Sequence, residues 1–239
     1  AQGLMEGCLQ NEDLRGVAVE QSIVTGHPSK CILTRVGELK ADLVVVSSHD
    51  MSQKRLGRME AQVVRHAKCK VLIVRDWQAG PFRKIAACID FSELSREVLE
   101  QAVHVARNDG AGLEMIHVLY PVEHSYDVYK LDFGRKTEAE FRAETQKWLT
   151  KKIKGFTSPL QGDLDSLDFT TTILESTDPA VAITAYVQNH HADLVVLGTT
   201  GQTRWSGLRL GSNAEHLVHN SHCSVLAIKS QEGGDQEAR

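Results

Sequence analysis

Gly198-Thr-Thr-Gly201, followed after nine residues by Gly211-Ser212, has the residue types and spacing to hold a phosphate. The two glycines come directly after an apolar run, Leu194-Val-Val-Leu197. Lacking a Cβ, they are expected to take up φ > 0 and to let backbone N–H groups approach an anion. Gly211-Ser212 then opens a helix, where backbone donors and the positive end of the macrodipole attract the same charge. Asn213, just inside the helix, adds a backbone N–H and a side-chain amide, while Thr199, Thr200, Gln202, Thr203 and Arg204 lie in the loop. Arg204 could donate to terminal phosphate oxygens, or it is an ordinary solvated arginine. A structural reading competes for the whole stretch, because Ser212-Asn213-Ala214-Glu215 also spells a capping box. No Lys-Ser/Thr follows the glycines, so the pattern is better equipped for binding than for catalysis.

Asp90 is the second group suited to a nucleotide. It ends an apolar strand, where a carboxylate can accept from ribose hydroxyls; the alternative is a cap for the helix that follows. His216, His219 and His222 stand at near-helical spacing, but no carboxylate or thiol pair completes a tetrahedral set, so no metal site is assigned. Cys69 and Cys223 each precede a strand and read as packing residues. Five cysteines, without tight Cys-x2-Cys spacing, fit reduced thiols in a cytoplasmic protein. A net charge of −4 gives no reason to expect nucleic acid or an anionic membrane as partner. The apolar runs fall far short of the ~20 residues of a membrane span.

The elements that must position these groups emerge from an internal repeat. Ala41-Asp-Leu-Val-Val-Val46 returns as Ala192-Asp-Leu-Val-Val-Leu197, an offset of 151; Val71-Leu-Ile-Val74 returns as Val225-Leu-Ala-Ile228, an offset of 154. The change of three places the deletion in the loop that carries the phosphate pattern. Each copy reads as strand, proline-started helix, strand, loop, helix, strand. The near-continuous apolar strands are those of a parallel sheet buried on both faces, and strand-helix alternation implies a doubly wound α/β fold. Residues 82–230 supply five strands, near 85–89, 113–119, 169–174, 193–197 and 224–228. A helix from Ser92 to about Val105 and one from Thr137 to about Lys154 complete them. The second of these helices is expected to turn Phe141, Trp148 and Ile153 inward. Residues 1–76 supply only the later part of a copy, with strands at 17–24, 43–46 and 71–74, so about 68 preceding residues are expected by the repeat offset. Residues 231–239 read as a disordered tail.

Gly-x2-Gly-x9-Gly-Ser resembles the ATP-binding motif of the universal stress protein family, matched at Gly198, Gly201, Gly211 and Ser212 with the spacing unbroken. The resemblance implies two Rossmann-like domains of strand order 3-2-1-4-5, the first incomplete, with the ligand between strands 1 and 4. It implies that ATP, with or without magnesium, is held by Asp90, Val118, Gly198, Thr199, Gly201, Gly211, Ser212 and Asn213; Val118 would line the adenine slot or is simply core. It further implies a nucleotide-responsive stress or signalling protein with no catalytic residue, the rivals being a slow ATPase and an interaction module with a vestigial site. The family also dimerises through its last strand. Here the strands from Val71 to Val74 and from Val225 to Ile228 would pair as an internal pseudo-dimer, with a homodimer as a further option. In the first copy Ser47, Asp50 and Arg58 replace motif positions, so only the second copy is expected to bind.

Overall fold

The computed structural model describes residues 16–47, 58–75, 80–121, 137–201 and 210–229. Its elements run α1 (Pro28–Leu39), β1 (Leu43–Ser47), α2 (Arg58–His66), β2 (Lys70–Val74), β3 (Lys84–Cys88), α3 (Glu93–Asp109) and β4 (Gly112–Leu119). They continue with α4 (Glu138–Thr157), a 3-10 turn and the short α5 (Gln161–Leu164), β5 (Phe169–Glu175), α6 (Pro179–Asn189), β6 (Leu194–Gly198), α7 (Ser212–Asn220) and β7 (Ser224–Ile228).

All seven strands form one sheet in the order β1-β2-β7-β6-β3-β4-β5. Read from β3 as strand 1, the last five follow the doubly wound order 3-2-1-4-5, and every pairing among them is parallel. The switch point therefore lies between β3 and β6. One apolar layer, with Val71, Ile73, Val195, Val218 and Val225 in it, covers one face. The other layer packs Ile85, Leu113, Met115, Val196 and Ile228 against α3 and the end of α4. The strand sequences are apolar throughout because β6 and β7 are buried on both sides.

The boundaries follow local chemistry. Ser92 caps α3 by accepting from Ser95 N–H, and Gly110, at φ 65°, ends it in the left-handed conformation that only glycine adopts cheaply. This helix runs one turn beyond Val105, to Asp109. Thr137 and Glu140 close a capping box at the head of α4. Asp178 caps α6 ahead of Pro179.

Two expectations are corrected. Residues 17–24 are not a strand: they are coil, with Val17, Val19, Ile23 and Val24 all exposed. Their β-branched sequence has no neighbouring strand among the described residues, and a strand without a ladder partner leaves its backbone to water. Trp148 does not turn inward. It is 52% exposed, and Leu149 and Phe156 take the buried positions of α4 instead.

The two copies meet where β2 pairs antiparallel with β7. The register is centred on Leu72 opposite Leu226, residues that correspond to one another in the repeat. Around that centre the contacts are reciprocal. Arg75 follows β2 and donates Nη2–H to Val218 O (2.7 Å) and Nη1–H to Ser221 O, at the carboxyl end of α7. Its counterpart Lys229 follows β7 and donates to Val64 O at the end of α2. Val64 and Val218 are themselves repeat equivalents. Each copy thus places a cation on the negative end of the other's last helix, where cations are favoured. Arg65 on α2 adds an ion pair with Glu215 on α7.

Candidate functional site

β3 and β6 lie side by side, in register from Ile85 opposite Leu194 to Ala87 opposite Val196, and this brings Asp90 and Gly198 to the same end of the sheet. Asp90 is held, not loose. Its Oδ1 accepts from Ser92 N–H (3.0 Å) and from Ser95 Oγ–H (2.6 Å), and its own N–H donates to Ser95 Oγ (3.0 Å). Since Ser92 is the cap of α3, Asp90 is not. Its other oxygen, Oδ2, lies against Gly201, so close that a Cβ there would stand 2.9 Å from it.

The glycines act differently from the expectation. None of Gly198, Gly201 and Gly211 has positive φ. What requires the first two is space: a Cβ on Gly198 would meet Leu94 Cδ2 at 2.9 Å, and one on Gly201 would meet the Asp90 carboxylate. Gly211 is the N-cap of α7 at φ −71°, and among the described residues its Cβ would meet only Thr199 O, at an ordinary 3.5 Å. Packing against the described residues therefore does not demand glycine at 211.

Thr199 is buried and pins the loop. Its N–H donates to Ile228 O (2.9 Å), and its carbonyl accepts Gly211 N–H (2.7 Å). The Gly211 amide is thereby spent inside the protein. The first intrahelical bond of α7 runs from Glu215 N–H to Gly211 O, so the amides of Ser212, Asn213 and Ala214 have no acceptor within the helix. The rival capping box does not form: Gly211, not Ser212, is the cap, no side chain caps the helix, and Glu215 is paired with Arg65. Ser212 and Asn213 are exposed at the helix start. Val118, near the carboxyl end of β4 opposite Leu174, is partly buried against the core.

Gln202, Thr203 and Arg204 lie outside the described residues, as do Asp50, the side chain of Arg58 and the tail from 231. Sequence reasoning missed Ser95, whose hydroxyl fixes Asp90 by one bond accepted and one donated; the signal was Asp-x4-Ser across a strand end and the first turn of a helix. It also missed His117 beneath the site. Its ring lies 4.5 Å from that of Phe91 and bonds Ile89 O at 2.8 Å through Nδ1. Burial lowers its pKa below the usual histidine value, against the opposing pull of the Ile89 carbonyl and of Asp90. Burial also pushes the thiols of Cys88 and Cys223 up to about 12, which leaves both protonated. Among the described residues no three His, Cys, Asp or Glu side chains converge as a metal set, and no helix is long and apolar enough to cross a membrane.

The doubly wound sheet thus sets an Asp-bearing strand end beside a glycine loop and an open helix start. Comparison with known proteins gives the family: the model of the universal stress protein family matches residues 4–75 and again 81–229, and the chain belongs to that family. Universal stress protein MJ0531 of Methanocaldococcus jannaschii is 29% identical over 155 residues, covering 62% of this chain and 82% of that one. Among solved structures, a putative universal stress protein from Pseudomonas aeruginosa superposes with a TM-score of 0.70 at 18% identity, over 96% of this chain and 78% of that one. A universal stress protein from Archaeoglobus fulgidus gives 0.64 at 20% identity, over 98% and 77%.

Proposed function

We propose that residues 82–230 form a domain that binds one ATP-type nucleotide, and that the protein is a nucleotide-responsive binding protein of the stress response rather than an enzyme. The observation that carries this reading is the convergence of three groups at the β3/β6 switch point: the fixed carboxylate of Asp90, the glycine loop, and the three open amides of α7. Triphosphate oxygens would accept from the amides of Ser212, Asn213 and Ala214 and from the Ser212 hydroxyl, close to the bare Cα of Gly211. Asp90 would accept from the ribose, with Val118 beside the base. The fit is supported by Gly211, which packing against the described residues does not need to be glycine. Residues 1–76 form the second unit in this reading, joined to the first as an internal pseudo-dimer across β2 and β7, and the site acts in the cytoplasm.

Calorimetric titration of the whole chain with ATP, with and without magnesium, tests the proposal. One nucleotide per chain is expected, with the bound ATP recovered unhydrolysed. No binding, or two equivalent sites, overturns it; steady release of ADP would make the protein a slow ATPase instead.

A further inference from the structure

Beside Asp90, α3 and α4 leave a groove of ≈ 400 Å³ between them, and its lining is unusual for a protein of net charge −4. The floor is aromatic. Phe156 is buried, and Phe91 meets it edge to face at 5.3 Å. Phe91 holds this position at φ 61°, a left-handed backbone that a bulky side chain adopts only under constraint. The rim is cationic: Arg96 sits 5.2 Å over the Phe156 ring, Lys152 5.9 Å over the Phe91 ring, and Lys151 lies beside them. Among the described residues no carboxylate pairs with any of the three.

Two further features separate this groove from the ordinary polar face of a helix. Trp148 stands on its wall with half its surface in water, while its neighbour Leu149 is buried. Gly155 lies inside α4, where glycine weakens a helix, and a Cβ there would touch nothing within 4 Å. Its absence widens the groove and serves no packing contact.

We propose that this groove is a binding site for a small organic anion with a flat aromatic body, stacked on Trp148 over Phe91 and Phe156, its carboxylate or sulfonate facing Arg96, Lys151 and Lys152. The size suits a ligand of two or three fused rings, and exposed cations standing over aromatic faces present charge beside a flat apolar surface, which matches an anion of that shape. The assignment does not depend on nucleotide binding at the β3/β6 switch point.

The test uses 2-naphthoate and its neutral isostere 2-naphthamide, with the intact chain. Indole N–H resonances of the three tryptophans are followed by NMR, and Trp148 is assigned through Trp148→Phe. Naphthoate should move the Trp148 resonance saturably and bind at least tenfold tighter than the amide. Arg96→Gln/Lys151→Gln/Lys152→Gln, which alters only exposed side chains, should weaken naphthoate at least tenfold with an unchanged melting temperature. Gly155→Leu should do the same by filling the groove. Equal binding of acid and amide, or full affinity in the triple variant, overturns the proposal. So does an acidic peptide that shifts Trp148 where naphthoate does not, which would make the groove a protein-docking surface.

Discussion

Residues 17–24 and residues 168–175 occupy corresponding places in the two copies and share a β-branched, turn-terminated sequence. The second stretch becomes β5, paired with β4 over seven residues from Phe169 to Glu175. The first remains coil, with its valines and isoleucine in water. Strand propensity is a preference for a pleated, half-covered surface, so it is realised only where a neighbour supplies the ladder. The same contrast runs through the outer strands. β1 buries Val44 and Val46 on one face, but Leu43 and Val45 on the other are 44% and 57% exposed. β6, its repeat equivalent, is buried on both faces because α3 covers the side that β1 leaves open.

The asymmetry between the copies is most sharply tested at the ligand. Gly211→Val should abolish ATP binding, a loss beyond a hundredfold by titration, with little change in the melting temperature, since among the described residues a Cβ there makes only an ordinary 3.5 Å contact with Thr199 O. Residual stoichiometric binding would move the site to the first copy. Next in size is the strand contact between copies. Ile73→Ala on β2 should cost about 2–5 kcal/mol in denaturant unfolding, as for other fully buried large-to-small changes. Val45→Ala, only two positions from the end of β1, should stay within about 0.5 kcal/mol because its side chain is already in water.

Smaller effects refine the comparison. Arg75→Met removes two bonds to the end of α7 and should cost about 1–3 kcal/mol; Lys229→Met removes its bond to Val64 O and should cost about 1 kcal/mol or more. Equal losses would mean that the reciprocal caps are energetically symmetric. Ser212→Ala should weaken ATP by about 1 kcal/mol, one hydrogen bond, and leave stability unchanged because Ser212 caps nothing. His117 affects only the second copy. Its folded pKa lies below the ordinary 6.5, so the unfolded chain binds the extra proton first. Its contribution to stability is complete above pH 6.5 and declines as pH falls below that value. His117→Phe should flatten this acid limb in a pH series of melting temperatures.

The repeat and the strand order of the second copy were legible because their signals are local and redundant: Pro179 after Asp178, Gly110 after Asn108-Asp109, apolar runs of strand length. The meeting of Asp90 and Gly198 was legible because a doubly wound order brings both to one end of the sheet. What sequence could not supply was neighbours. Nothing in Gly198 or Gly201 announces Leu94 or the Asp90 carboxylate as the reason a Cβ is excluded. The α4 pattern accommodates Trp148 or Leu149 equally well until the tertiary neighbours are in place, and it is the leucine that is buried. Ser212 read as a cap because a capping box is defined by four letters, while the helix start depends on where Thr199 O draws the Gly211 amide.

Arg75 and Lys229 carry a consequence for partner choice. A surface that is its own complement cannot distinguish, by shape alone, the companion copy on its own chain from an equivalent copy on another. Two things bias the choice. The short connection between β2 and β3 holds the intrachain partner at high effective concentration. The pair of Arg65 with Glu215 exists only between unlike copies, because the repeat equivalent of Arg65 is His219 and that of Glu215 is Ala61. The tether thus favours the companion on the same chain and the ion pair favours an unlike copy over a like one, while adhesion rests on features that the two copies have in common.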